Sequence, residues 1–252
     1  MARILTEESS LTKRRKSLED ETRALQNLLR FELGGAIALL AIGVMLYLWL
    51  QHTTTFYLGL AAAVFYVAHR IRIQQNSREE KIVQAGLRGE VEVTRQLAEQ
   101  LDNSHYIFND LRIKLGRKSA QIDHLIICPR GIFAIETKNW RGHIEGSEEE
   151  ERWIQTKDPD TPPIKVFNPI KQTQRHVEIL RGVLERSAID WTDIYSIVIF
   201  LSPRTTFSVP GAVTPVLKPN QAVEYIANHQ GAPKTYSEDE ITAVINLLMR
   251  NK

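Results

Sequence analysis

The 252-residue sequence is short of features that announce a chemistry on their own. It has one cysteine, Cys128, which excludes an intramolecular disulfide and a cysteine-based zinc site and fits a reducing compartment. There is no internal repeat and no low-complexity tract, so a repeat array is excluded. Neither sign of charge is in surplus. Of 32 Lys/Arg and 30 Asp/Glu, ten and eight fall in residues 1–80, leaving 22 of each in 81–252. The C-terminal two-thirds is therefore neutral and lacks the strong basic excess that advertises phosphate-backbone binding, which counts mildly against a nucleic-acid reading.

Charge is missing altogether from Leu33 to Leu50, "LGGAIALLAIGVMLYLWL", 18 residues against the roughly 20 that a bilayer core asks of a helix. "QHTTT" interrupts, and "FYLGLAAAVFYVA" fills 56–68. Tyr47, Trp49, Phe56 and Tyr57 suit an interfacial belt. The runs predict a transmembrane helical hairpin over 32–73 in contact with the lipid bilayer, the rival being a buried soluble hairpin. Lys13 to Arg30 precede the first run, Arg70 to Lys81 follow the second, and the loop between has no Lys or Arg. Positive-inside bias then predicts a two-pass integral protein of the cell (inner) membrane, with both termini and the rest of the chain cytoplasmic. A signal peptide fits less well, because the run starts far from the N-terminus and no small-residue cleavage site follows.

Residues 1–31 read as a charged cytoplasmic helix, with Leu11, Leu18 and Leu25 seven apart. That spacing raises self-association into a homo-oligomer beside the plainer reading of a solvated helix. Residues 77–101 form the next helix, with Leu87, Val91, Leu97 and Leu101 near one face. Strand-like segments follow at 106–113, 121–128 and 131–140, then a short one at "RWIQT". Glu148 to Glu151 between them read as a solvated loop. Asn168 caps a helix over 168–188 with Pro169 at its first position, and 194–202 is a buried strand. "SEDE" opens a last helix as a capping box. Helix, three strands, helix, strand predicts an α/β sandwich around one mixed sheet.

The chemistry concentrates in "QIDHLIICPRGIFAIETKNW", Gln121 to Trp140, an apolar hairpin with Asp123, Glu136 and Lys138 set into it. Glu136 and Lys138 are two apart and share a face, while Thr137 points away. Asp123 joins them if Pro129-Arg130 is a two-residue turn, because paired numbers then sum to 259. A bulge at Gly131 makes the sum 260 and turns Asp123 away. In the first register two carboxylates repel unless a cation lies between them. Mg²⁺ or Mn²⁺, which prefer oxygen ligands, would serve, with Lys138 positioning a water or stabilising a phosphate. The alternative is a structural ion pair at a sheet edge.

"GLRGE", the hairpin, a later Trp and "NPIKQ" together resemble the nuclease-related domain family, NERD, assigned to the PD-(D/E)XK, restriction-endonuclease-like superfamily. The resemblance covers about 84–202 of a domain at 77–252. It implies an αβββαβ core and a Mg²⁺- or Mn²⁺-dependent nuclease acting on DNA or RNA. Asp123, Glu136 and helix-borne Glu90 stand as metal-binding carboxylates, Lys138 as the catalytic lysine, and Gln121 and Gln172 as auxiliary polar residues. Each has a plainer reading: Glu90 as an exposed helix residue, Gln172 as solvent-facing, Gln121 as a strand start. Gly86 and Gly89 favour a functional Glu90, since glycine weakens a helix unless something packs closely there. His124, Cys128, Trp140 and Trp153 read as structural. Arg112, Lys114, Arg117 and Lys118 form a local basic patch, a solvated loop or a phosphate contact. The alternative function is a non-catalytic module binding nucleic acid or protein.

Overall fold

The computed structural model describes residues 1–5, 10–50, 53–230 and 234–251, and leaves undescribed the side chains of 10–11, 28–39, 46–47, 50, 53–56, 58–59 and 62. Two compact units divide the chain, one of Ser10–Ala85 and one of Met1–Ser9 with Gly86–Lys252.

The first unit is built on helix α1 (Ser10–Leu50) and the beginning of α2 (Thr53–Gln100). Neither Pro nor Gly interrupts residues 60–85, so the helix expected to start at 77 instead runs unbroken from Thr53. Arg14 pairs with Glu79 at 2.5 Å and Arg72 with Glu21 at 3.5 Å, so the two helices lie antiparallel. Leu18 and Leu25 are buried within the chain, and the Leu25 carbonyl meets the His69 ring at 3.3 Å. The expected homo-oligomer seam is therefore not supported: at the described leucines it is already covered intramolecularly. Leu11 lies outside the described side chains.

The expectation of a two-pass membrane anchor over 32–73 is overturned. Among the described residues no helix is long and apolar enough to cross a membrane. A span needs roughly 20 apolar residues in succession. The longest apolar stretches with described side chains are 40–45 in α1 and 63–68 in α2. Leu40, Ile42, Val44 and Met45 of the first and Val64, Phe65 and Val67 of the second are exposed. The loop residues 51–52 lie outside the described residues. The inner-membrane placement and the lipid contacts inferred from these runs fall with the spans.

The second unit is a mixed α/β fold. Strands β1 (Arg3–Ile4), β2 (Tyr106–Leu115), β3 (Lys118–Cys128), β4 (Gly131–Lys138), β8 (Ile194–Phe200) and β10 (Val216–Leu217) form one six-stranded sheet in the order β1-β2-β3-β4-β8-β10. β2, β3 and β4 are an antiparallel meander, and β8 lies parallel to β4 after the crossover helix α3 (Pro169–Arg186). Residues 3–4, read as part of the N-terminal helix, instead add a parallel edge strand against Tyr106 and Ile107.

β4 is apolar and buried on both faces because helices cover both. On one side α3 presents Ile179, Leu180 and Leu184 to Phe108, Leu125, Ile132 and Ala134, joined by α5 (Glu238–Arg250). On the other, Val93, Leu97 and Leu101 meet Ile107, Ile126, Phe133 and Ile135, beside α4 (Pro219–Ala227). Val91, expected on that face, is 59% exposed. The inward stripe is 93, 97 and 101, which extends back one turn to Glu90.

The single sheet of the sequence reading is incomplete. A second sheet, order β7-β6-β5-β9, is made of β5 (Gly142–Glu145), β6 (Arg152–Thr156), β7 (Ile164–Phe167) and β9 (Thr205–Ser208). Ile144 and Trp153 join it to Ile170, Val198 and Phe200 in a third apolar cluster.

Candidate active site

The β3–β4 turn resolves the register left open by sequence. Cys128 pairs with Gly131 and His124 with Ile135, so paired numbers sum to 259 and Asp123 falls opposite Glu136. The ladder stops there. Instead of a backbone carbonyl, the Asp123 carboxylate receives the Thr137 N–H at 2.7 Å and the Thr137 hydroxyl at 2.8 Å. β3 and β4 therefore part at this point, and a carboxylate satisfies the strand donor left behind.

Glu136 sits at the fork and is 1% exposed. Lys138 Nζ donates to its Oε1 at 2.5 Å and to Gln172 Oε1 at 3.0 Å. Gln172 is presented by the first turn of α3, whose N-terminus is fixed by Asn168. The Asn168 side chain accepts the Ile170 N–H at 2.8 Å and donates to the carbonyls of Ser147, Glu148 and Glu150. Thr173 ties the same turn to the Ala134 carbonyl. One turn on from Gln172, His176 Nδ1 lies 3.7 Å from Glu136 Oε2, too far for a hydrogen bond. Both atoms are buried without a hydrogen-bond partner.

Burial, then Asp123, pushes the Glu136 carboxyl up to about 8, while Lys138 opposes the shift. Glu90 rises to about 8 as well, first through burial and then through Asp123, Asp110 and Glu136. Asp123 is raised by burial against the bonds from Thr137 and the charge of Lys138. Burial lowers His176. Three carboxyls on α2, β3 and β4 thus resist carrying their charges together.

Five of the residues singled out from sequence, Glu90, Asp123, Glu136, Lys138 and Gln172, are brought within electrostatic or hydrogen-bonding reach of one another. The Gln121 amide donates to Asp110 Oδ1 at 2.7 Å, and Asp110 in turn faces Glu90 electrostatically. Arg112, Lys114, Arg117 and Lys118 are exposed on the β2–β3 hairpin, with Arg112 opposite Gln121 and Lys114 opposite Ser119. His124 is buried against Asn109 at 2.8 Å, and burial lowers it to about 4. Trp140 lies 5.7 Å beneath Lys138 Nζ and against Phe200. Glu148 of the acidic run is held by Gln174, Val213 and Thr214. Sequence reasoning passed over Thr137, Asp110 and His176. The last was findable, because it follows Gln172 by one helical turn.

The donors suit a hard divalent cation in kind: buried carboxylate oxygens, one of them orphaned, with mutual repulsion for a cation to relieve. In the arrangement as it stands, no group of three His, Cys, Asp or Glu side chains among the described residues is placed to hold a metal ion.

Residues 85–201 match the family model described as NERD, nuclease-related domain. An uncharacterized protein of Bacillus anthracis is 32% identical over 103 residues, which cover 40% of this chain and 47% of that protein. The chain thus matches about half the length of this relative. No solved structure matches it. The fork of β3 and β4 thus lies inside the stretch, residues 85–201, that is similar to the nuclease-related domain, NERD.

Proposed function

We propose that this centre hydrolyses phosphodiester bonds of DNA or RNA with Mg²⁺ or Mn²⁺, on a restriction-endonuclease-like core of the PD-(D/E)XK kind. The supporting core is the end of α2, then β2, β3, β4, α3 and β8. One observation carries the reading: Glu136 is buried with Lys138 on one oxygen and nothing hydrogen-bonded to the other. A buried carboxylate half-used in this way is costly unless a ligand completes it. Asp123 and Glu136 would hold the ion, with Glu90 adding a further oxygen donor. The ion supplies Lewis-acid activation of the phosphate and of an attacking water. Lys138, steadied by Gln172, holds a positive charge where negative charge grows on the phosphate. Arg112, Lys114, Arg117 and Lys118 would contact the backbone of the substrate without reading its sequence.

A second reading, a non-catalytic module that binds nucleic acid or protein, is favoured by one observation, the lack of three gathered metal donors among the described residues. Incubation of the full chain with labelled DNA and RNA, in Mg²⁺, in Mn²⁺ and in chelator, separates the two. Metal-dependent cleavage is expected. Binding without cleavage in either metal supports the second reading, and cleavage that persists in chelator overturns the first.

A further inference from the structure

β3 and β4 diverge beyond His124 and Ile135, and they run to different places. β3 leads back into the hairpin that carries Arg112, Lys114, Arg117 and Lys118. β4 leads through Lys138 and Trp140 into the second sheet. That second path ends in a basic cluster that the hairpin motif does not include.

Arg141 immediately precedes β5, Lys157 immediately follows β6, and Arg204 immediately precedes β9. The three strands are neighbours, with Gly142 paired to Thr205 and His143 to Thr156. All three cations therefore leave the same end of one sheet, from adjacent strands spaced about 4.8 Å apart. Backbone contacts tighten the cluster. Gly142 N–H donates to the Arg204 carbonyl at 3.3 Å, and a Cβ on Gly142 would lie 2.7 Å from Lys157 Cα. The three residues are exposed. No ion pair among the described residues engages any of them, whereas Lys171 and Arg175 on α3 pair with Glu149 and Glu151. The acids nearest in sequence are Asp158 and Asp160, in the turn after Lys157, and Glu145, which bonds His143 at the other end of β5.

The cluster is fastened to the strand that carries Lys138. Leu201 N–H donates to the Lys138 carbonyl at 3.0 Å, the Thr205 hydroxyl to the Trp140 carbonyl, and the Gln155 amide to the Arg141 carbonyl at 2.9 Å. Lys218 Nζ holds the intervening turn through the carbonyls of Ser202 and Thr205. Arg141 is three residues from Lys138, so their Cα atoms are at most about 11 Å apart. A nucleic-acid strand carries a phosphate about every 3.4 Å of rise in duplex form.

From this placement we infer that Arg141, Lys157 and Arg204 form a phosphate-contact surface for a nucleic-acid strand leaving the Lys138 centre, opposite the surface on the β2–β3 hairpin. This rests on the proposed nuclease reading for its substrate class, and it adds a contact that the neutral domain charge would not suggest. The strand lies across the fork, held by cations on both diverging arms.

The test is equilibrium binding of labelled duplex and single-stranded DNA and RNA to the full chain in chelator, across a salt series. The triple variant Arg141→Ala/Lys157→Ala/Arg204→Ala is compared with Arg152→Ala/Lys165→Ala. Of the latter pair, Arg152 lies at the opposite end of β6 from the cluster, and Lys165 lies on the neighbouring edge strand β7, opposite Ile154 in the middle of β6. Each phosphate contact contributes about 0.9 to the slope of log affinity against log salt on duplex and about 0.7 on single strands. The triple variant should bind more weakly and lose roughly 2–3 from the slope on duplex, while the control pair keeps the wild-type slope. An unchanged slope in the triple variant, an equal loss in the control, or no binding by wild type at low salt overturns the inference. A triple variant with reduced slope in a protein that never cleaves leaves the contact surface standing and removes the hydrolytic reading. Metal-dependent cleavage with an unchanged slope does the reverse.

Discussion

Replacing Glu136 by Gln removes a buried charge while keeping the shape of the side chain. Glu136 is 1% exposed, and burial followed by Asp123 lifts its carboxyl from 4.5 to about 8. In the unfolded chain the same group titrates near its ordinary value. Between those two pH values the folded protein holds a proton that the unfolded chain has released. The contribution is therefore complete below about pH 4.5 and is lost as pH rises toward 8. At about 1.4 kcal/mol per pH unit, the window corresponds to on the order of 5 kcal/mol. Glu90, also raised to about 8, adds a slope of the same sign. Thermal unfolding followed from about pH 5 to about pH 9 should show wild type losing stability steadily toward the alkaline end. Glu136→Gln should give a flatter profile and exceed wild type there. If the ionised carboxylates hold the proposed ion, added Mg²⁺ or Mn²⁺ should restore alkaline stability to wild type more than to the variant. Parallel profiles for the two proteins would refute the claim that a charge on Glu136 opposes folding.

Two further substitutions test the scaffold. Asn168→Ala removes the cap of α3 and strands the carbonyls of Ser147, Glu148 and Glu150; unfolding in denaturant should reveal a loss of about 2–4 kcal/mol, and a loss below half a kilocalorie would mean water replaces the amide. Gly146→Ala would place a Cβ 2.1 Å from Cδ1 of the fully buried Trp153. A destabilisation of about 1–3 kcal/mol should follow, with a lower denaturant midpoint; an unchanged midpoint would show that the indole can shift freely.

The long, strongly patterned elements were legible in the sequence because one local rule decided each. The β2–β3–β4 meander follows from apolar runs broken at Gly116 and at Pro129–Gly131, and α3 from Asn168-Pro169. The register at the turn was not legible, since a two-residue turn and a bulge suit the same residues. The missed strands β1, β5, β7, β9 and β10 have two to four residues each, and β1 pairs with β2, and β9 with β5, across long sequence separations. Local pattern carries no record of such pairing. Glu136 and Lys138 could be placed on one face by their spacing of two. Placing Glu90 beside Asp123 and Glu136 needed the tertiary fold, because no local spacing links α2 to β3 and β4. The apolar runs at 33–50 and 56–68 invited a membrane reading from composition, and among the described residues no helix meets the length and apolarity it requires.

The measurement that bears most directly on the proposed activity is cleavage of labelled DNA and RNA by the full chain in Mg²⁺ or Mn²⁺, comparing wild type with Glu136→Ala and Lys138→Ala. Loss of one carboxylate or of the lysine should lower the rate by roughly 10²-fold or more. Both variants should bind substrate in chelator as wild type does. Cleavage that proceeds at the wild-type rate in both variants would contradict the assignment of the β3–β4 fork as the catalytic centre.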